Sequence, residues 1–119
     1  MKTLECQEAL GMESGAITNG MITASSRYDL SIASYRGRLN AQYTGAHGGS
    51  WSPAIPDTNQ WLQVDLGLNH GNRVTGVATQ GRNSKTVSQW VTTYKLQVSD
   101  DGVIFQYYRE EGQTTDKVK

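Results

Sequence analysis

The sequence predicts an all-β domain, a sandwich or barrel built from short antiparallel strands. Three observations predict it. Apolar and polar residues alternate in several short runs, an Asp-Gly pair joins two of those runs in the manner of a hairpin, and no segment carries a sustained apolar stripe at i, i+3, i+4, i+7. Short strands punctuated by Gly, Asn and Ser are the pattern of sandwiches and barrels.

Each element follows in chain order. Asn19-Gly20 reads as a turn. Ile22-Thr23-Ala24-Ser25-Ser26 then opens like a strand, and Arg38-Leu39-Asn40 is strand-like again. Between them Tyr28, Leu30, Ile32 and Tyr35 are spaced among Asp, Ser and Arg with neither helix nor strand continuity. In an extended loop side chains alternate, so Tyr28, Leu30 and Ile32 are expected to project to one side. In the run from Trp61, Leu62, Val64 and Leu66 alternate with Trp61, Gln63 and Asp65. The turn residues Asn69-His70-Gly71-Asn72 lead into a β-rich run from Arg73 to Gln80, where Gly76 suggests a bulge or a close backbone approach. Thr92, Tyr94, Leu96 and Val98 alternate in the next run, and Asp101-Gly102 turns it toward Val103–Tyr108.

Composition removes several classes of function. A chain of 119 residues is one domain by length, long enough to bury a core. Its apolar residues, 36% of the total, are spread throughout, which is globular rather than disordered composition. Eleven basic and eleven acidic side chains cancel, so the basic excess that marks a nucleic-acid binder is missing. No apolar run approaches the length of a membrane span, and MKTLECQEAL has no stretch long enough for a signal peptide. Either the leader lies outside this sequence or the protein is cytosolic. The single cysteine, Cys6, has no internal partner and by itself says nothing of compartment.

The chemistry-bearing residues read as structure. Asp65 sits among apolar strand neighbours, so burial would require a partner, and Arg38 is the expected one. His47 and His70 have neither metal-ligand spacing nor a cysteine or carboxylate pattern beside them. GAHGG at 45–49 lacks the lysine of a nucleotide cradle, and no nucleophile–base pair is visible. The expectation is a non-enzyme with no metal and no cofactor.

Cys6, ALGM at 9–12, Ser14-Gly15, ITASS at 22–26, RLN at 38–40, Trp51-Ser52-Pro53, WLQVDLG at 61–67, VTGVATQG at 74–81 and VTTYKLQVSDDG at 91–102 occur in order. Together they resemble the discoidin domain, also called the coagulation factor V/VIII C-type domain, over about residues 6–112. The run from Cys6 to Gly15 is nearest the neuropilin-like sub-pattern. The resemblance implies an eight-stranded antiparallel jelly roll with Trp51 and Trp61 in core motifs. It also implies a non-catalytic adhesion module of an extracellular or cell-surface, multidomain protein, binding through loops at one end of the barrel. The family's domain continues past the position of Tyr107-Tyr108 into further strands and a cysteine that pairs with the one matching Cys6. The domain at 6–119, after an extension at 1–5, is therefore expected to be incomplete, with its last strands missing and Cys6 a free thiol. Some relatives hold calcium near the N-terminal strand, but Asn19 and Asp29 offer too few oxygens.

The resemblance gives the 27–36 segment an address, the family's first ligand-binding loop. Residues 82–89 form the second, and the Gly-rich 43–50 segment is a third candidate surface. The implied ligand set is Tyr28, Leu30, Ile32, Tyr35, Arg36, His47, Ser52, Arg82, Asn83, Ser84, Thr86 and Trp90. Three ligand classes compete for it. A glycan would use Tyr28, Tyr35, Arg36, His47 and Asn83 for stacking and polar contacts. A collagen-like or other extracellular protein is the second class, and within it a peptide pocket of the family matches Tyr28, Ser52, Ser84 and Thr86. In that last pocket a family tryptophan falls on Ile32 and a family aspartate falls near Asp57. The alternative, an anionic phospholipid surface, would take the apolar tips Leu30 and Ile32 inside a rim of Arg27, Arg36, Arg82 and Lys85. A glycan or matrix protein is the leading expectation.

Overall fold

The computed structural model describes residues 8–67, 74, 76–84, 86 and 88–107. Its regular elements are strands β1 (Ile22–Ala24), β2 (Leu62–Val64), β3 (Gln97–Val98) and β4 (Gln106–Tyr107), with three 3₁₀ turns, η1 (Asn19–Met21), η2 (Leu30–Ile32) and η3 (Ser34–Arg36). No α-helix occurs among the described residues, and the architecture is all-β. The described residues fall into two compact units divided between Gln89 and Trp90.

In the first unit β1 and β2 pair antiparallel, with Ile22 opposite Val64, Thr23 opposite Gln63 and Ala24 opposite Leu62. The ladder continues at both ends through Asp65 N–H donating to the Met21 carbonyl (2.8 Å) and Ser25 N–H to the Trp61 carbonyl (2.9 Å). The serines of ITASS explain why β1 stops there. Ser25 and Ser26 hydroxyls both donate to Gln60 Oε1 (2.8 and 2.6 Å), and Trp61 N–H donates to Ser25 Oγ (2.9 Å). Side-chain oxygens take over from main-chain pairing, which serine does readily beside a turn.

Ile17, Ile22, Ile32 and Ala33 form the buried apolar core of the described residues. Arg38 donates from Nη1 to the Met12 carbonyl (2.8 Å) and from Nη2 to Asn19 Oδ1 (2.7 Å). The expected Arg38–Asp65 pair is therefore replaced. Asp65 is exposed and needs no buried counter-charge, and its Oδ1 accepts from Gly67 N–H (2.9 Å), where φ is +90°. Trp51 is half-buried and donates from Nε1 to the Ser26 carbonyl (2.8 Å). Trp61, expected in the core, is 49% exposed.

In the second unit β3 and β4 pair antiparallel, with Gln97 opposite Tyr107 and Val98 opposite Gln106. The Asp-Gly reversal is present, with φ +76° at Gly102. The turn is wider than a two-residue hairpin. Asp101 Oδ1 accepts from Val103 and Ile104 N–H (2.8 and 3.0 Å) and from the Ser99 hydroxyl (3.0 Å). Three donors on one carboxylate oxygen curl residues 99–105 and hold Val103–Phe105 out of the ladder. The expected strand over Arg73–Gln80 is not formed by its described residues 74 and 76–80. Cys6, His70, Lys85 and Tyr108 lie outside the described residues.

Candidate functional site

The 27–36 loop is pinned by main-chain bonds. Tyr28 N–H donates to the Ser52 carbonyl (2.8 Å), and Ser52 N–H donates to the Ile32 carbonyl (3.2 Å). Ser52 thus grips both flanks of the loop through its backbone. Asp29 begins the turn between them, its Oδ1 accepting from Ser31 N–H (2.9 Å) and from the Ser31 hydroxyl (2.5 Å). That hydroxyl bond is the main reason the Asp29 carboxyl titrates below its ordinary value. Desolvation opposes the shift, while the N–H groups of Ser31 and Ile32 and the charge of Arg82 reinforce it.

The turn decides which apolar residues show. Tyr28 is 71% and Leu30 67% exposed, whereas Ile32 is 3% exposed. The expectation that all three project together fails at Ile32. Leu30–Ile32 is a 3₁₀ turn, so alternation stops at residue 30 and Ile32 rotates into the core. Gly48 lies against it, with no room for a Cβ beside Ile32 Cγ2. Ile32 is a core residue, and only the two preceding side chains remain to meet a ligand.

Arg36 joins this loop to the Gly-rich one. Its Nε donates to the Gly48 carbonyl (2.9 Å) and its Nη2 to the Gln42 carbonyl (2.8 Å). Tyr35 meets His47 edge to face, with ring centres 6.4 Å apart. His47 also closes its own loop, its carbonyl accepting from Thr44 N–H (2.9 Å) and its N–H donating to Thr44 Oγ1 (3.1 Å). The Gly-rich loop is in turn joined to the 82–89 loop. Gly49 and Asn83 form an antiparallel bridge, and Asn83 Oδ1 accepts from Tyr43 N–H (2.8 Å). Arg82 is turned along its own loop, with its N–H on the Gln89 carbonyl (2.8 Å) and Nη1 on Gln89 Oε1 (2.9 Å). Thr86 N–H donates to Ser84 Oγ (3.3 Å).

The structure therefore connects Tyr28, Leu30, Tyr35, Arg36, His47, Ser52, Arg82 and Asn83 through three interlocked loops. Trp90 is exposed and belongs to the other unit. Arg36 and Arg82 direct donors to oxygens of the loops, which leaves Arg27, exposed and without a hydrogen bond or ion pair among the described residues, as the cation next to Tyr28 in the chain. Asp57 is similarly committed. Gln60 Nε2 and Asn59 N–H both donate to its Oδ1 (2.9 Å each), and the Gln60 bond is the main cause of its lowered pKa.

Exposed apolar side chains also lie outside the expected set, Ile55 among them. Ile55 is 62% exposed, on a segment held to the base of the first loop where Ala54 N–H donates to Ser26 Oγ (3.0 Å). Its signal was present as an isoleucine between Pro53 and Pro56, two residues that keep a segment out of regular structure. No group of three His, Cys, Asp or Glu side chains capable of holding a metal occurs among the described residues.

Comparison with known proteins gives a consistent result. The family model for the F5/8 type C domain matches residues 21–119. Human Neuropilin-1 is 45% identical over 100 residues, covering 82% of this chain and 10% of that protein. Coagulation factor V of Pseudonaja textilis is 35% identical over 113 residues, covering 95% of this chain and 8% of that protein. The omicarin-C non-catalytic subunit, a venom prothrombin activator component of Oxyuranus microlepidotus, is 36% identical over 118 residues, 95% of this chain and 8% of that protein. The chain spans no more than a tenth of the length of these relatives.

Proposed function

The chain belongs to the F5/8 type C domain family, and from that premise we propose that it is a non-catalytic recognition module of an extracellular protein. It binds a cell-surface glycan or matrix protein through its 27–36, 43–50 and 82–89 loops. One observation carries the reading. Tyr28 presents an exposed ring and hydroxyl on backbone that Ser52 holds in place, so little ordering entropy remains to be lost on binding.

An anionic phospholipid surface is the second reading, favoured by the exposed Leu30 at the loop tip. The side chains of Arg36 and Arg82 weigh against it, because each is tied to neutral oxygens of the loops and less free to reach a lipid headgroup.

The test presents immobilised glycans, collagen, and phosphatidylserine/phosphatidylcholine vesicles to the wild-type chain, Tyr28→Ala and Leu30→Ser. Tyr28→Ala is expected to weaken glycan or protein binding by ~30-fold, the size of a binding hot spot, with the Leu30→Ser effect confined to vesicles. Vesicle binding that Leu30→Ser abolishes, with no glycan or collagen signal, would overturn the first reading in favour of the second. Reproducible turnover of any bound glycan or lipid would overturn the non-catalytic assignment.

A further inference from the structure

Between the end of β1 and Ser34, which bonds back to the Ile22 carbonyl, lies an open hollow of about 260 Å³ lined by Ala24, Ser26, Arg27, Ala33 and Ser34. Neither Tyr28 nor Leu30 lines it, and it has its own chemistry. We infer that this hollow is a subsite for a single carboxylated sugar ring, of the uronic-acid class. The inference rests on the glycan branch of the proposed function and names the sugar chemistry.

Size sets the first limit. The volume falls below the roughly 300–1,000 Å³ of pockets that take drug-sized ligands, so one ring is accommodated rather than a chain. Ala24, half-buried, supplies a short apolar side chain against which the C–H face of a pyranose can lie, while Ala33 is 6% exposed and adds little surface.

The polar inventory sets the second limit. A serine hydroxyl has one donor and two acceptor positions. Ser34 donates its proton to the Ile22 carbonyl (2.8 Å), and Ser26 donates to Gln60 Oε1 (2.6 Å) while accepting from Ala54 N–H (3.0 Å). What both serines have left is acceptor capacity, which suits ligand hydroxyl groups. Arg27 supplies the opposite, a guanidinium with donors only and no hydrogen bond or ion pair among the described residues. A ligand that satisfies both carries hydroxyl donors and a carboxylate on one small ring. A neutral hexose leaves the guanidinium unmatched, and a bare carboxylate leaves the serine acceptors unmatched. The carboxylate contact is charge-assisted, about twice as strong as a neutral hydrogen bond.

The experiment is an amide NMR titration of the whole chain with sodium glucuronate at constant ionic strength, with glucose and acetate as parallel arms. Glucuronate is expected to give saturable shifts at Ala24–Arg27 and Ala33–Ser34 with Kd on the order of 1 mM, and glucose and acetate to bind at least about tenfold more weakly. Arg27→Gln should reduce glucuronate to the glucose level. Ala24→Val, which fills the hollow from a strand position that suits valine, should remove the titration with Arg27 intact. The subsite is overturned if glucuronate binds no more tightly than acetate, if Arg27→Gln titrates like wild type, or if the shifts fall elsewhere. Tyr28→Ala separates the two readings. A failed titration alongside glycan-array binding that still depends on Tyr28 removes the hollow alone. An intact titration with a blank array removes the loop-tip reading alone.

Discussion

Arg36 is a ligand candidate by type and a strut by geometry. Its Nε and Nη2 each hold a main-chain carbonyl of the Gly-rich loop, Gly48 and Gln42, and that loop lays Gly48 over Ile32. Charged hydrogen bonds of this kind contribute about 1.5–3 kcal/mol when partly shielded from water. Arg36→Ala is expected to lower unfolding free energy by about 2 kcal/mol, read as a shift in denaturant midpoint. Arg36→Lys should recover less than half, because an ammonium lacks the fork that spans two carbonyls. An unchanged midpoint in Arg36→Ala would return the guanidinium to the ligand set. Of the candidate site, the exposure of Tyr28 and Leu30 was legible, as large side chains in a polar segment without strand or helix continuity. Ile32 was not legible, because alternation assumes extended backbone and the Asp29–Ser31 bond starts a 3₁₀ turn instead. Arg36 and Arg82 were equally opaque, since sequence shows a charge but not the oxygens that fix its direction, the Gly48 and Gln42 carbonyls for Arg36 and Gln89 Oε1 for Arg82.

At the scale of elements, the β3–β4 hairpin depends on one carboxylate. The Asp101 carboxyl is held below its ordinary value first by the Ile104 N–H, then by the Val103 N–H and the Ser99 hydroxyl, with desolvation opposing. A carboxyl whose folded pKa is depressed contributes stability above its unfolded value, and that contribution is lost as pH falls through the folded value. Amide exchange at Val103 and Ile104 should therefore accelerate, after correction for intrinsic rates, as pH drops below about 4. Asp101→Asn should flatten that pH dependence, and a pH-independent protection pattern in wild type would contradict it. The same carboxylate explains why part of the fold was misread. The Asp-Gly signal located the reversal between two strands that do pair, but the alternating runs on either side overstate their length. Val103–Phe105 curl around Asp101, and the ladder holds only Gln97–Val98 against Gln106–Tyr107. Strand propensity measures fit to a paired, half-buried surface, so an apolar run lengthens a strand only where something covers it.

Across the whole molecule the formal charge is zero, so net charge neither draws partners in nor keeps copies of the chain apart. Apolar contacts are plentiful. Trp90, Val91, Val98, Val103 and Ile104 are all exposed in the second unit. Exposed apolar groups in such number bind hydrophobic dyes and promote self-association. Val103→Thr with Ile104→Thr should reduce 1-anilinonaphthalene-8-sulfonate fluorescence and concentration-dependent light scattering while far-UV circular dichroism stays unchanged. Dye fluorescence equal to wild type would place the sticky surface elsewhere. In the first unit, Ser52 holds the 27–36 loop from both flanks with an amide and a carbonyl, atoms that every residue except proline possesses. Such a grip does not depend on which side chains stand at 28 and 30. The loop is therefore a natural graft host: its tip can be rewritten for a new ligand while the clasp beneath it keeps the same geometry.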